Sequence, residues 1–136
     1  SDVYKRQVLT SLTQPVLGIC LGLQLMCRFS EEGATEGLGI FDADVLKFPP
    51  EDKVPHMGWN TVQHLDNILF KDIAPDADFY FVHSYYAGLS DASAGVCQYI
   101  VPFSAALQKD NFYAVQFHPE KSGNAGEQLL KNFLGL

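Results

Sequence analysis

The sequence predicts an α/β fold with antiparallel insertions, and three observations lead there. The run Pro15-Val16-Leu17-Gly18-Ile19-Cys20 is continuously apolar, as in a strand of a parallel sheet covered on both faces. A helical stretch, "LGLQLMCRF", follows it at once. Several strand-like segments then lead to a closing helix, "GNAGEQLLKNFLGL". Strand and helix, then strands, then helix is the order of an α/β domain.

The elements justify themselves in turn. In "LGLQLMCRF", Leu21, Leu25 and Arg28 share one side, and Leu23, Met26 and Cys27 another. "SEEGATEGLG" is a polar loop with three glycines. "GIFDADVLKF" alternates through Phe41, Ala43 and Val45, which suits a strand. "PPEDKVPHMGWN" reads as a proline-bounded loop with a bulky centre. "ADFYFVHSYYAG" is a strand running into a turn at Gly88. Two or three short strands follow around the hairpin-like turn "KDN", with Pro102 breaking the run. The closing helix places Leu129, Leu130, Phe133 and Leu134 on one face. No internal repeat or low-complexity tract is visible. The first strand arrives with little before it, so its sheet neighbours are expected to be missing.

A chain of 136 residues fits one domain, and a hydrophobic content of 47% allows a core of useful size. The opening "SDVYKRQ" reads as a junction scar, so the domain is taken as residues 8–136, and the parent protein is expected to begin further upstream. Net charge is −7 and the nine Lys and Arg are scattered, which argues against nucleic acid and anionic membranes as partners. No apolar run reaches the length of roughly 18 residues that a membrane span needs. Cys20, Cys27 and Cys97 form no CxxC pair, so neither zinc nor a disulfide framework is indicated. Reduced cysteines in an acidic chain point to the cytoplasm. Nothing in the residues calls for a metal or a cofactor.

Gly18-Ile19-Cys20-Leu21-Gly22 has the form of a nucleophile elbow, with sulfur in place of a hydroxyl. A sharp strand-to-helix turn needs flanking residues without side chains. It also brings the sulfur near the first helix amides, whose partial positive charge favours thiolate. The Leu21 amide could then donate to a developing oxyanion. Alone, the pattern fits a buried thiol beside loop glycines equally well. A cysteine nucleophile also needs a base. In "QFHPEKS", His118 and Glu120 stand two apart on a segment that Pro119 keeps from being helical. Extended backbone points both side chains the same way, so the carboxylate can orient the imidazole. Alone, His-Pro-Glu is as readily a turn with an exposed ion pair; the elbow about a hundred residues upstream makes the combination specific. His64 reads as a surface residue and His83 as a core or rim histidine. His56, with Met57 and Trp59, marks either a partner surface or packing beneath a loop.

At these residues the sequence resembles the class I (triad-type) glutamine amidotransferases, and within them the glutaminase subunits of imidazole glycerol phosphate synthase. The segments that carry the resemblance are "PVLGICLGLQLM", "KVPHMGWN", "YFVHSYY", "PFSAALQKDNFYAVQFHPEKSG" and the closing helix. It implies a flavodoxin-like domain with a mixed sheet and helices on both faces, lacking its N-terminal strands and the glycine-rich loop that brings a second oxyanion donor. It implies Cys20 as nucleophile, His118 and Glu120 as the rest of the triad, and Gln24, Ser84 and Tyr85 as contacts to bound L-glutamine. Glutamate and ammonia would be the products. The ammonia would pass to a (β/α)8-barrel cyclase subunit of histidine biosynthesis in a heterodimer. His56, Met57, Trp59, Asn60, Tyr80 and Lys121 fall where the family meets that barrel. Two further possibilities stand beside this one: another triad amidotransferase, which the segment Val54 to Asn60 disfavours, and a non-catalytic fragment that at most binds the cyclase. The chain by itself is expected to have little glutaminase activity.

Overall fold

The computed structural model describes residues 2–136. Helix α1 (Asp2–Thr10) is exposed from Val3 to Thr10 and is followed by strand β1 (Val16–Ile19) and helix α2 (Leu21–Met26). Short strands β2 (Phe29–Ser30) and β3 (Thr35–Glu36) come next, then β4 (Asp44–Lys47). A hairpin-like pair, β5 (His56–Thr61) and β7 (Asp78–His83), forms a separate two-stranded sheet, with β6 (Gln63–His64) between them in the chain. β8 (Tyr85–Ala87), β9 (Ser93–Tyr99), β10 (Val101–Lys109) and β11 (Phe112–Val115) complete the strands, and helix α3 (Gly123–Leu134) closes the fold.

The large sheet runs β1-β11-β10-β8-β4-β2-β3, with β9 paired to β10 and β6 to β9. It is mixed: β1 with β11 and β2 with β4 are parallel, and the remaining pairs are antiparallel. Alternation along β11 shows how its two faces are used. Phe112 and Ala114 join a cluster with Leu23, Met26 and Cys27 of the α2 segment. Tyr113 and Val115 join the other cluster, with Phe79, Phe81, Phe103, Phe117 and Leu129 of α3. Helices therefore cover both faces, and the apolar burial that drives each docking is dominated by aromatic rings on the α3 side.

Several elements differ from expectation. β1 lies at the end of the strand order, and Val16, Leu17 and Ile19 are only half-buried, so it is not covered on both faces within the described residues. α2 stops at Met26, before Phe29. Its last carbonyls are taken by loop amides: Leu38 N donates to Leu25 O, Ile40 and Phe41 N to Met26 O, and Gly39 N to Cys27 O. A Cβ at Gly37 would sit 2.0 Å from the Cys27 carbonyl oxygen, so that wrap requires glycine. The strand sought across 39–48 is confined to Asp44–Lys47.

The expected loop around Met57 and Trp59 is a strand. His56 faces inward while Met57, Trp59 and Thr61 face out, the alternation of a half-buried pair with β7. Pro102 does not break the strand run. It pairs opposite Gln98 near the start of β10, and the turn is made by Ile100 at φ 63°. His64 is partly enclosed, with its ring stacked 4.3 Å from that of Phe70. On α3, Leu129 is buried and Leu130 and Phe133 are partly so, but Leu134 points to solvent.

Candidate functional site

The sharp turn after β1 places Cys20 at φ 54°, ψ −102°, a conformation that side-chain-bearing residues rarely hold. It is kept there from both sides. Cys20 N donates to Val115 O at 2.8 Å, and Cys20 O accepts from Gln24 N at 3.3 Å. The two flanking glycines serve different ends. A Cβ at Gly18 would lie 2.9 Å from the backbone carbon of Gly22 and 3.0 Å from Met26 Sδ, so strand and helix could not approach. A Cβ at Gly22 would meet nothing within 4 Å. The expectation that both positions forbid side chains therefore holds for Gly18 alone.

β11 runs parallel to β1 with Ile19 opposite Val115, so the two strands end at the same edge. Gln116, Phe117 and His118 leave β11 there. His118 Nδ1 lies 3.1 Å from Glu120 Oε2, which commits that ring nitrogen to the carboxylate. The backbone of His118 is strapped to β7: His118 N donates to Tyr80 O at 3.0 Å. Ser122 completes the strap, its hydroxyl donating to His118 O at 2.6 Å and accepting from Tyr80 N at 2.9 Å.

The thiol's own side-chain contact is Gln116, fully buried, whose Nε2 lies 3.6 Å from Cys20 Sγ. Gln116 Oε1 accepts from Gln24 Nε2 at 3.4 Å, and Gln24 Nε2 also donates to Tyr85 O at 3.3 Å. Burial raises the Cys20 pKa above the ordinary thiol value; the Leu21 amide and Gln116 pull it down, and Glu120 and Glu32 push it up. The expected gain of thiolate from the helix amides is thus outweighed by desolvation. Cys27 and Cys97 are more deeply buried and pushed up to about 12, which makes them poor nucleophiles. All three cysteines are free.

An open cavity of about 460 Å³ adjoins the sulfur, lined by Cys20, Leu21, Gln24, Glu32, Val82, His83, Ser84 and Tyr85. Gln24, Ser84 and Tyr85 are therefore gathered beside Cys20. Glu32 and Gln116 were not picked out from the sequence. A polar glutamine inside the apolar run "YAVQFH" is the signal that could have found Gln116; Glu32 sits in a polar loop and carries none.

The remaining surface candidates divide. Met57 and Trp59 are 63% and 57% exposed, and Trp59 lies opposite Tyr80 with ring centroids 5.8 Å apart. Lys121 is exposed on the turn that follows His118. His56 is buried and Asn60 is half-buried, both on the inner side of β5, so they do not share the Met57–Trp59 face. Among the described residues no group of three or more His, Cys, Asp or Glu is placed to hold a metal ion, and no helix is long and apolar enough to cross a membrane.

The model of the glutamine amidotransferase class-I family matches residues 3–135. The chain belongs to the class-I glutamine amidotransferase family. It is 65% identical over 128 residues to imidazole glycerol phosphate synthase subunit HisH of Bacteroides fragilis, covering 92% of this chain and 65% of that protein. Against the subunit of the same name from Bacteroides thetaiotaomicron the identity is 57% over 133 residues, covering 96% and 68%. For the Escherichia coli K12 subunit it is 54% over 130 residues, covering 93% and 66%. The chain thus spans 65% of the length of its Bacteroides fragilis relative. Among solved structures, it superposes on PurLQS from Thermotoga maritima with TM-score 0.70 at 14% identity, covering 98% of this chain and 65% of that one. A glutamine amidotransferase from Thermotoga maritima gives 0.64 at 18% identity, covering 97% and 53%. At those identities the likeness is one of fold, and the fold is that of the class-I amidotransferases.

Proposed function

We propose that this chain carries the glutaminase site of an imidazole glycerol phosphate synthase: it hydrolyses L-glutamine to glutamate and ammonia, and the ammonia goes to a cyclase subunit that makes imidazole glycerol phosphate and aminoimidazole carboxamide ribotide in histidine biosynthesis. The observation that carries the reading is the strained Cys20 at the end of β1, beside the parallel strand that delivers the hydrogen-bonded pair His118–Glu120. The names of the HisH relatives support the assignment to this synthase.

The residues suggest the steps. His118 takes the thiol proton through Nε2 while Glu120 holds the imidazole and stabilises its cation. The sulfur attacks the side-chain carbonyl carbon of glutamine, and the oxygen gains negative charge opposite the Leu21 amide. The carbon–nitrogen bond then breaks, and ammonia leaves with the proton from His118. A glutamyl thioester remains. Water attacks it, His118 takes a proton from that water, and the thiol is regenerated as glutamate departs. The raised pKa of Cys20 keeps the resting sulfur protonated, so attack waits on a seated substrate and an engaged base. Ser84 and Tyr85 wall the cavity, and Glu32 offers a carboxylate for the substrate's ammonium group. Met57, Trp59, Tyr80 and Lys121 form the face offered to the cyclase, His56 and Asn60 supporting it from within.

The test is labelling with a diazoketone analogue of glutamine, followed by glutamate release with and without the cyclase subunit. Cys20 should be the labelled residue, and Cys20→Ala should abolish both signals. Labelling that continues at an unchanged rate in Cys20→Ala would overturn the assignment.

A further inference from the structure

Beneath the cavity lies a pair of buried histidines that the chemistry above does not use. His56 Nδ1 and His83 Nε2 are 2.9 Å apart. His56 Nε2 is 3.3 Å from Asn60 Nδ2, and His83 Nδ1 is 2.8 Å from the Tyr85 carbonyl oxygen. Both rings are packed among aromatics: His56 stacks between Phe81 and Tyr99, with centroids at 4.8 and 4.1 Å, and His83 lies against Phe48 and Phe103 at 5.2 and 5.1 Å.

Backbone groups at the two ends dictate where every proton sits. Asn60 Oδ1 accepts from Thr61 N at 2.8 Å, and Asn60 Nδ2 donates to Gln98 O at 3.2 Å, so the amide cannot be turned round. Its Nδ2 therefore donates to His56 Nε2, which must be bare. At the other end the Tyr85 carbonyl can only accept, so His83 Nδ1 carries the proton and a neutral His83 has a bare Nε2. His56 Nδ1–H fills the gap between them. Both ends impose the same direction, and each histidine is held as the Nδ1–H tautomer. Burial agrees, since it lowers both imidazole pKa values to about 4 and keeps the rings neutral.

The chain ends on an oxygen that matters. Tyr85 O takes one bond from His83 and one from Gln24 Nε2, which fills its two lone pairs. With Gln24 Nε2 committed to Tyr85 and Gln116, its Oε1 is the acceptor it can offer to a ligand.

We propose that Asn60, His56 and His83 are positioning residues: a one-directional hydrogen-bond chain from the hairpin that carries Met57 and Trp59 sets the Tyr85 carbonyl and, through it, the Gln24 side chain that receives glutamine. This rests on the glutaminase reading for its ligand, whereas the proton arrangement stands on the geometry alone. None of the three residues touches the reacting atoms, so their effect belongs in substrate affinity and leaves the thiol's intrinsic reactivity alone.

Two measurements test it on the chain itself. Through-bond nitrogen–proton correlation spectra at neutral pH should show His56 and His83 each protonated on Nδ1 with Nε2 bare. A proton on Nε2 of either ring overturns the proposal. The second is saturation labelling of Cys20 by the diazoketone glutamine analogue, with iodoacetamide as a pocket-independent control. His83→Phe keeps the ring packing and removes the donor; the half-saturating analogue concentration should rise about tenfold, the equivalent of one lost hydrogen bond. His83→Asn, which restores an N–H near the Nδ1 position, should recover most of that. Asn60→Asp, distant from the cavity and half-exposed, places an acceptor against His56 Nε2 and should weaken the analogue as well. Iodoacetamide should react equally in all four proteins. Half-saturation within about twofold of the parent in both His83→Phe and Asn60→Asp, below the effect of a single hydrogen bond, would overturn the positioning role. If the analogue fails to label the parent while iodoacetamide labels Cys20, the glutaminase reading falls, and the spectra still decide the proton chain.

Discussion

Two regions of the molecule use histidine in opposite ways. On the floor, His56 and His83 are buried, flanked by aromatic rings, and both nitrogens of each have a partner within the chain. Past the end of β11, His118 is partly exposed and commits Nδ1 to Glu120. The floor residues have no site left at which to gain or lose a proton without breaking a bond, so they serve structure. In the proposed mechanism His118 keeps its second nitrogen for chemistry. Composition cannot distinguish them; the number of nitrogens already engaged can.

The largest expected effect falls on His118 alone. In a chain restored to the full length of its relatives, His118→Ala should cut glutamine turnover by about 10²–10⁴-fold, and because its backbone straps to Tyr80 remain, the thermal midpoint should move by no more than about 2 °C. Glu120→Gln should slow turnover less than His118→Ala, since it orients the base and does not replace it. Equal or reversed losses in folded proteins would give Glu120 a different task.

Next comes the floor, probed by acid. Both imidazoles stay neutral in the fold down to about pH 4, whereas in the unfolded chain they protonate near their ordinary value of 6.5. The unfolded state therefore binds more protons between those limits. The stability that comes from keeping these rings neutral is complete above pH 6.5, falls as pH drops toward 4, and stays level below that. The loss should reach roughly 3 kcal/mol for each ring across this window. Urea unfolding at a series of pH values measures it, and the same series on a His56→Phe/His83→Phe chain should lose the slope. An unchanged slope there would assign the acid sensitivity to carboxylates.

The smallest effect concerns the face above the floor. Trp59→Ala should weaken cyclase binding by roughly 1 kcal/mol or more and change the chain's own stability by no more than about 0.5 kcal/mol, as for an exposed side chain. Complex affinity measured by titration, beside a melting curve, separates the two. A large fall in melting temperature with affinity intact would make Trp59 part of the core.

How much of this was legible in the sequence depended on distance along the chain. The elbow and His-Pro-Glu are local patterns, and Leu23, Met26 and Cys27 share a buried side as their spacing requires. β5 was hidden because its alternation begins only at His56, directly after a stretch of prolines and charges. Pro102 misled because proline's penalty depends on which neighbours pair at that point of the strand, and residue spacing does not show that. Gln116 was missed for a different reason. Its partners Cys20 and Gln24 are 96 and 92 residues away, and only the sheet order makes them neighbours. The histidine pair, 27 residues apart, depends in the same way on the β5–β7 register that sets His56 opposite His83.

The closest backbone approach beside His118 involves Gly126 of α3, where a Cβ would lie 1.9 Å from the Pro119 carbonyl oxygen. The turn bearing His118 and Glu120 thus rests against a helix that the ribosome makes after it. Cys20 emerges almost a hundred residues before His118, and the seat for His118 is finished only once Gly126 and Leu129 have arrived to pack. Because domains settle as units during synthesis, a growing chain displays the Cys20 turn well before the His118–Glu120 pair has a surface to rest on.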